Sequence, residues 1–483
     1  MTVIVRTRIR PNFEYFWLTA IVLSQAAALV WLGDRLNAAL AAAILTSGAL
    51  ALIFVPAVTT QAVAGIRAMN LEWWHWLWAM LFCSDFVFRI RDAQSIEDDP
   101  LDAWALYRVG LVGMAGFFLL WRLGTRRGQW LAALFSGLIP VMAVFPLIGL
   151  VSTTWSIFPA WTAYKSVEYF IDVAVLAAAV AAAGEPLNFR TLLNWTWMLF
   201  GAVQCSVWIG AVVAPSRAIL RAGGMLSVQI TGLIPNISAN GVGHIAAILS
   251  VVAVSRLLRR GEARSHALLY WFVFVTSFGT LILAQTRSAV LAFAAGAVLV
   301  LLLSRRIGTV LTLVFAATIL LLATSAESTV WTYLKRGQDA QLMGSLSGRT
   351  TWWSFAWARF LERPFTGYGA FAGGRFAALA DLGDQITSSV HNTYLEAILG
   401  IGVIGVVPLA VCLLGTWWRL LQFFHSRVSD VLHNIGLEVA GVLMVVTVRS
   451  FFTTDIIWHP ALPWLLALGF GELLRRQRRA VAP

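Results

Sequence analysis

From about residue 16 to residue 475 the chain is a succession of apolar runs, most of them about 20 residues long and separated by short polar stretches. Wound as an α-helix, a run of that length crosses the roughly 30 Å hydrocarbon core of a bilayer. In lipid every backbone N–H and C=O must find its partner within the protein, which helices allow and irregular chain does not. The spans fall near 16–33, 36–58, 73–88, 104–122, 129–150, 164–183 and 193–213, then near 239–255, 266–284, 288–304, 308–325, 392–417, 433–454 and 460–475. Those at 73–88 and 460–475 are the shortest. With 59% hydrophobic and 12% charged residues, the 483-residue chain carries more apolar surface than one water-soluble core can bury. The expected fold is all-α, a polytopic integral membrane bundle of about 12–14 transmembrane helices. It reads as one domain over 1–483, with no tandem repeat and no linker.

The net charge of +12 raises the question of nucleic acid, but the arginines sit in short clusters between apolar runs rather than on one folded basic domain. That is how topology signals are distributed. If Arg6, Arg8 and Arg10 lie in the cytoplasm, alternation brings Arg122, Arg126 and Arg127, the stretch "RLLRRGEAR" at 256–264, Arg305 and Arg306, and the terminal "RRQRR" to the same side. Both termini are then cytoplasmic. The basic start leads into further apolar sequence rather than a small-residue cleavage site, so the first helix is expected to remain as an anchor. Cys83, Cys205 and Cys412 stand in apolar runs without metal-ligand spacing and read as packing residues.

The same alternation puts three polar stretches on the outer face: the acidic segment 89–103, a short loop at 214–238 and a large loop at 326–390. The large loop is too short for a sizeable core of its own. In "TTWWSFAWARFLERP", Trp352, Phe355, Ala356 and Phe360 recur at helical spacing before Pro364, giving an amphipathic helix expected to lie at the interface.

Arg287, in "LILAQTRSAVLAF", stands between two apolar runs at an outer end, where the positive-inside bias does not call for arginine. It is either an end-of-helix anchor or a planar, permanently charged clamp for phosphate oxygens. Arg449 raises the same question, with Asp455 six residues on as an internal ion-pair partner. The 214–238 loop adds Arg217 and Arg221, followed by "PNISANGVGHIAA", in which Asn236 and Asn240 serve either as helix caps or as polar contacts. Lys165, Glu168 and Asp172 share one helix face; the first two are spaced to pair, and Asp172 should face protein rather than lipid. In "SSVHNTYLEAILGIG", Thr393 and Glu396 have the spacing of a capping box. His391 lies outside that box. Beside a helix N-terminus its cationic form is disfavoured, so it is either a surface histidine or a neutral imidazole able to take a proton.

Taken in order, the outward Arg287, "SGRTTWW", "ERPFTGYG" and "HNTYLEAILGIGVIG" resemble the O-antigen ligase and polymerase superfamily of integral membrane glycosyltransferases. The resemblance is clearest over 215–410, with weaker similarity in "STTWSIFPAWTAYKSVEY" at 152–169. It implies transfer of a glycan from an undecaprenyl-diphosphate-linked oligosaccharide to an acceptor glycan or glycolipid at the periplasmic face of the bacterial inner membrane. No cofactor, metal or nucleic acid is implied, and a chain-length regulator or flippase is the kind of partner expected. Residue by residue, the resemblance assigns His391 and Arg287 to catalysis. It assigns Arg221, Asn240, Arg349, Tyr368, Asn392 and Arg449 to the diphosphate or glycan, with Asn236 an alternative to Asn240. A polymerase adding repeat units fits the motif string, and the ligase that joins finished glycan to lipid A-core is the alternative. The reading from another class is a glycan, lipid or ion transporter with Asp172 and Arg449 along its path, although no internal repeat or paired broken helix points to one.

Overall fold

The computed structural model describes residues 58–86, 98–99, 102–124, 129–221, 225–226, 228–259, 266–324, 326–381 and 389–481. The expected spans 16–33 and 36–58, the acidic segment through residue 97 and most of the basic stretch 256–264 lie outside these residues or at their edge. The remaining apolar runs all become helices: α1 Trp73–Ser84, α2 Ala103–Gly124, α3 Gln129–Leu134, α4 Ile139–Ser152, α5 Pro159–Ala183 and α6 Phe189–Val213. A one-turn helix, α7 Pro215–Ala218, leads to a short hairpin of β1 Ile219–Arg221 and β2 Val228–Ile230. Then come α8 Ala239–Leu257, α9 Ala267–Ala284, α10 Arg287–Leu303, α11 Ile307–Ala323, α12 Ala326–Lys335, α13 Ala340–Gly344 and α14 Arg349–Glu362. The last are α15 Thr393–Phe424, α16 Asp430–Arg449 and α17 Leu462–Val481. Among the described residues seven helices are long and apolar enough to cross a membrane, or up to eight if the bent pair α11 and α12 is one span. The protein is an all-α, multi-pass membrane bundle.

Burial follows position in the bundle. In α5 and α16, 72% of the most apolar window is packed against protein, against 17% in α2 and none of α11, whose leucines and valines are left for lipid. The polar side chains of α5 accordingly face inward. Lys165 Nζ lies 2.7 Å from Glu168 Oε2, and Arg108 grips the same carboxylate through two nitrogens. Asp172 is fully buried and bonded to His459 Nδ1 at 2.7 Å, as its expected orientation toward protein requires.

Two spans are broken, each by a partner remote in sequence. The run 129–150 divides into α3 and α4 around Gly137 (φ +71°), where the buried Glu472 carboxylate accepts from the Leu138 amide at 2.5 Å. In α15, Ile401 and Gly402 leave helical geometry, and the loop 364–369 fills the gap. Tyr368 N donates to Leu399 O at 2.8 Å, Gly369 N to Gly400 O at 2.9 Å and Val403 N to Pro364 O at 2.9 Å. Backbone groups released by the break are thereby satisfied, as an apolar surrounding demands.

In the segment 326–390, Ala356 and Phe360 of α14 are buried with Ala378, Leu379, Val390 and Leu399, and Trp352 packs beside them. Of the four residues read at helical spacing, Phe355 alone is exposed, along with Trp357 and Leu361 of the helix and Phe365 just after it. The helix therefore has one apolar strip against protein and a second facing outward, where an interfacial helix would meet lipid.

Candidate functional site

One cavity of about 820 Å³ gathers residues from separate parts of the chain. Its walls come from α7 (Arg217), the hairpin (Leu220, Gln229), the start of α8 (Asn236, Ser238, Asn240), the start of α10 (Thr286, Arg287, Ser288), several residues between 334 and 352, and His391. Four arginines, Arg217, Arg287, Arg336 and Arg349, line it, and no aspartate or glutamate is among the described lining residues. Helices α8, α10 and α14 all begin at this wall, so the positive ends of three peptide dipoles add to the arginines. Such a surface attracts a multiply charged anion.

The starts of α8 and α10 are held in contact by the Thr286 hydroxyl, which donates to Ala239 O at 3.0 Å. Gly243 permits this approach: a Cβ there would lie 2.8 Å from the Cβ of Thr286. Ser238 caps α8 through the Gly241 amide, so neither Asn236 nor Asn240 is the cap, and both line the cavity.

Arg287 is the first residue of α10, and its Nη2 donates to Gln338 Oε1 at 2.7 Å and Ser347 Oγ at 2.6 Å. The chain carrying these acceptors is left-handed at Arg336 (φ 55°), Leu346 (52°), Ser347 (64°) and Gly348 (84°). For the three side-chain-bearing residues that costs about 1 kcal/mol each. The turn sets Gly348 before α14 and delivers Arg349 to the cavity. Burial, aided by the cations at 449, 287 and 336, lowers Arg349 from the usual guanidinium range to about 10. Burial lowers Arg336 as well. A bound anion would offset this mutual repulsion.

His391, also left-handed (φ 52°), lies against the Trp352 ring with centroids 5.6 Å apart. The helix after it begins one residue earlier than the capping-box reading. Asn392 is the cap, its Oδ1 accepting from the amides of Tyr394 and Leu395 at 3.0 Å each. Thr393 instead donates to Thr453 O at 2.8 Å, and Glu396 reaches back to the Val390 amide at 3.1 Å. The Asn392 amide is the shorter reach to two adjacent N–H groups, and the threonine hydroxyl is taken by the 450–461 loop.

Asn240, Arg287, Arg349 and His391 are therefore brought together, and four other expected site residues are not among the cavity's lining. Arg221 pairs with Val228 in the hairpin, whereas the neighbouring pair Leu220 and Gln229 faces the cavity; alternation turns Arg221 to the opposite face. Tyr368 donates to Glu362 Oε2 at 2.6 Å and holds the loop 364–369 against α14. Asn392 is spent on the cap, its Nδ2 donating to Phe451 O at 3.2 Å. Arg449 is 2% exposed and bonds Asp455 at 2.8 Å, the internal pair that its spacing allowed. Burial opposes ionisation of Asp455, yet Arg449 and His244 hold its carboxyl at about 2.

Arg336, Gln338, Ser347 and Trp352 also line the cavity, and the sequence motifs do not single them out as site residues. For Arg336 a signal exists: it is an arginine in the loop 326–390, which the alternation of basic clusters is expected to place on the face where cations are not called for. Gln338 and Ser347 carry none, since only the folded turn sets them beside Arg287.

Residues 272–410 match the family described as O-antigen ligase, a stretch running from α9 into α15 that contains Arg287, Arg336, Arg349 and His391. No curated protein matches the chain. The family match supports the superfamily resemblance of the motifs and implies a glycosyltransferase-like membrane enzyme that transfers glycan in the O-antigen ligase and polymerase manner.

Proposed function

We propose that this protein moves a glycan from an undecaprenyl-diphosphate-linked donor to an acceptor sugar hydroxyl at the periplasmic face of the bacterial inner membrane. The observation that carries the proposal is the convergence of Arg287, Arg336 and Arg349 with His391 on one cavity free of described carboxylates. The arginines hold the diphosphate and stabilise the charge that develops as it leaves. His391 accepts the proton of the attacking hydroxyl while its oxygen bonds to the anomeric carbon and the carbon–phosphate oxygen bond breaks. Direct displacement inverts that carbon. The scheme needs no metal, because the arginines and helix N-termini supply the positive charge.

Under this reading the segments 214–238 and 326–390 form the outer face and 215–410 the catalytic core, with both termini in the cytoplasm, as the alternation of basic clusters requires. The acceptor is a growing lipid-linked chain of exopolysaccharide or O-antigen, so the activity is polymerisation of repeat units. The description of the matching family favours a second reading, ligation of the finished glycan to lipid A-core. Deleting the gene separates them. Loss of polymer with accumulation of single lipid-linked units supports the polymerase, long lipid-linked chains left unattached support the ligase, and unchanged glycans contradict both.

A further inference from the structure

We infer that Gln338 and Ser347 are positioning residues that fix the Arg287 guanidinium for anion binding, an inference that rests on the diphosphate reading above. A guanidinium has five N–H bonds, and both on Nη2 are taken, by Gln338 Oε1 at 2.7 Å and Ser347 Oγ at 2.6 Å. Gln338 Nε2 donates to Ser347 Oγ at 3.1 Å, closing a ring of three side chains. Among the described residues no acceptor takes the N–H bonds of Nε and Nη1, which are left for a ligand on a group that no longer rotates freely. A free arginine side chain loses much rotamer entropy when it binds, so the ring lowers what ordering costs when the anion arrives.

Two further features fit positioning better than general stability. The ring joins the first residue of α10 to a segment 51 to 60 residues later. Its second acceptor sits in the left-handed run 346–348, backbone that costs energy and gains nothing in hydrophobic burial. Both acceptors are neutral. A carboxylate in either place would hold Arg287 more strongly and cancel the charge that the anion needs; a glutamine and a serine hold it and leave that charge intact.

The test is a double-mutant cycle on the full-length protein in lipid nanodiscs, with inorganic pyrophosphate as probe and affinity read by calorimetry. Gln338→Ala and Ser347→Ala are each expected to weaken binding about tenfold, the scale of a modest misplacement of a contact. In an Arg287→Ala background, where Arg336 and Arg349 keep residual binding, neither is expected to weaken it further. Equal weakening in both backgrounds, or none in the first, overturns the positioning role while the diphosphate reading stands. If Arg287→Ala binds pyrophosphate as tightly as the parent protein, the reading itself fails and the inference with it.

Discussion

The amide of Val403 donates to the carbonyl of Pro364 at 2.9 Å, across the break in α15. At the same break Gly402 has φ 63° and ψ −164°, a conformation that side-chain-bearing residues avoid, and a Cβ there would lie 2.6 Å from the Pro364 oxygen. Gly402→Ala should lower the thermal unfolding temperature in detergent, by an amount equivalent to about 2–3 kcal/mol. Gly279→Ala, with open space around its Cβ, should not. Equal effects would show that the break places no special demand on residue 402.

The pair of Arg449 and Asp455 predicts an acid sensitivity. Asp455 is held at about 2, below its ordinary value near 4, so its contribution is present above about pH 4 and is lost as the pH falls toward 2. Asp455→Asn leaves Arg449 buried without its counter-charge and should cost about 3 kcal/mol near neutrality. Between pH 4 and 2 the unfolding temperature of this variant should change less than that of the parent. Parallel curves would remove Asp455 from the acid response.

Much of this fold is legible in composition alone, because lipid admits few structures and each apolar run after residue 72 is met by a helix. The breaks are not legible. Gly137 and Gly402 permit the breaks locally, but the chain has 38 glycines and most of those in apolar runs interrupt nothing; Glu472 and Pro364, remote in sequence, decide which breaks are stable. At the site, Arg287 and His391 stand out because neither topology nor capping accounts for them. Gln338 and Ser347 are ordinary loop residues until a left-handed turn brings them to Arg287. The cap lies one position before the capping-box residue because Asn392 and Thr393 are both good cap residues, and only the contact of Thr393 with Thr453 decides between them.

Arg349 predicts how anion binding depends on pH. Burial and nearby cations lower it to about 10 in the free protein, and a bound anion favours its charged form. Affinity for pyrophosphate should therefore be complete below about pH 10 and fall as the pH rises above it. Arg349→Gln should bind more weakly and lose that decline. A decline unchanged in the variant would assign it to another group.

Trp352 gives a separate prediction for the proton acceptor. Its ring packs tilted against that of His391, so Trp352→Ala should lower glycan transfer about tenfold, leaving pyrophosphate affinity near that of the parent. A loss of affinity instead would make Trp352 part of the anion site.

The central claim is that Arg287 and His391 act on one lipid diphosphate. It is tested most directly by turnover of purified protein in nanodiscs on a synthetic prenyl-diphosphate oligosaccharide. With folding verified by the unfolding temperature, Arg287→Ala and His391→Ala should each lose at least about a hundredfold in glycan transfer. Undiminished transfer in either folded variant would contradict the account.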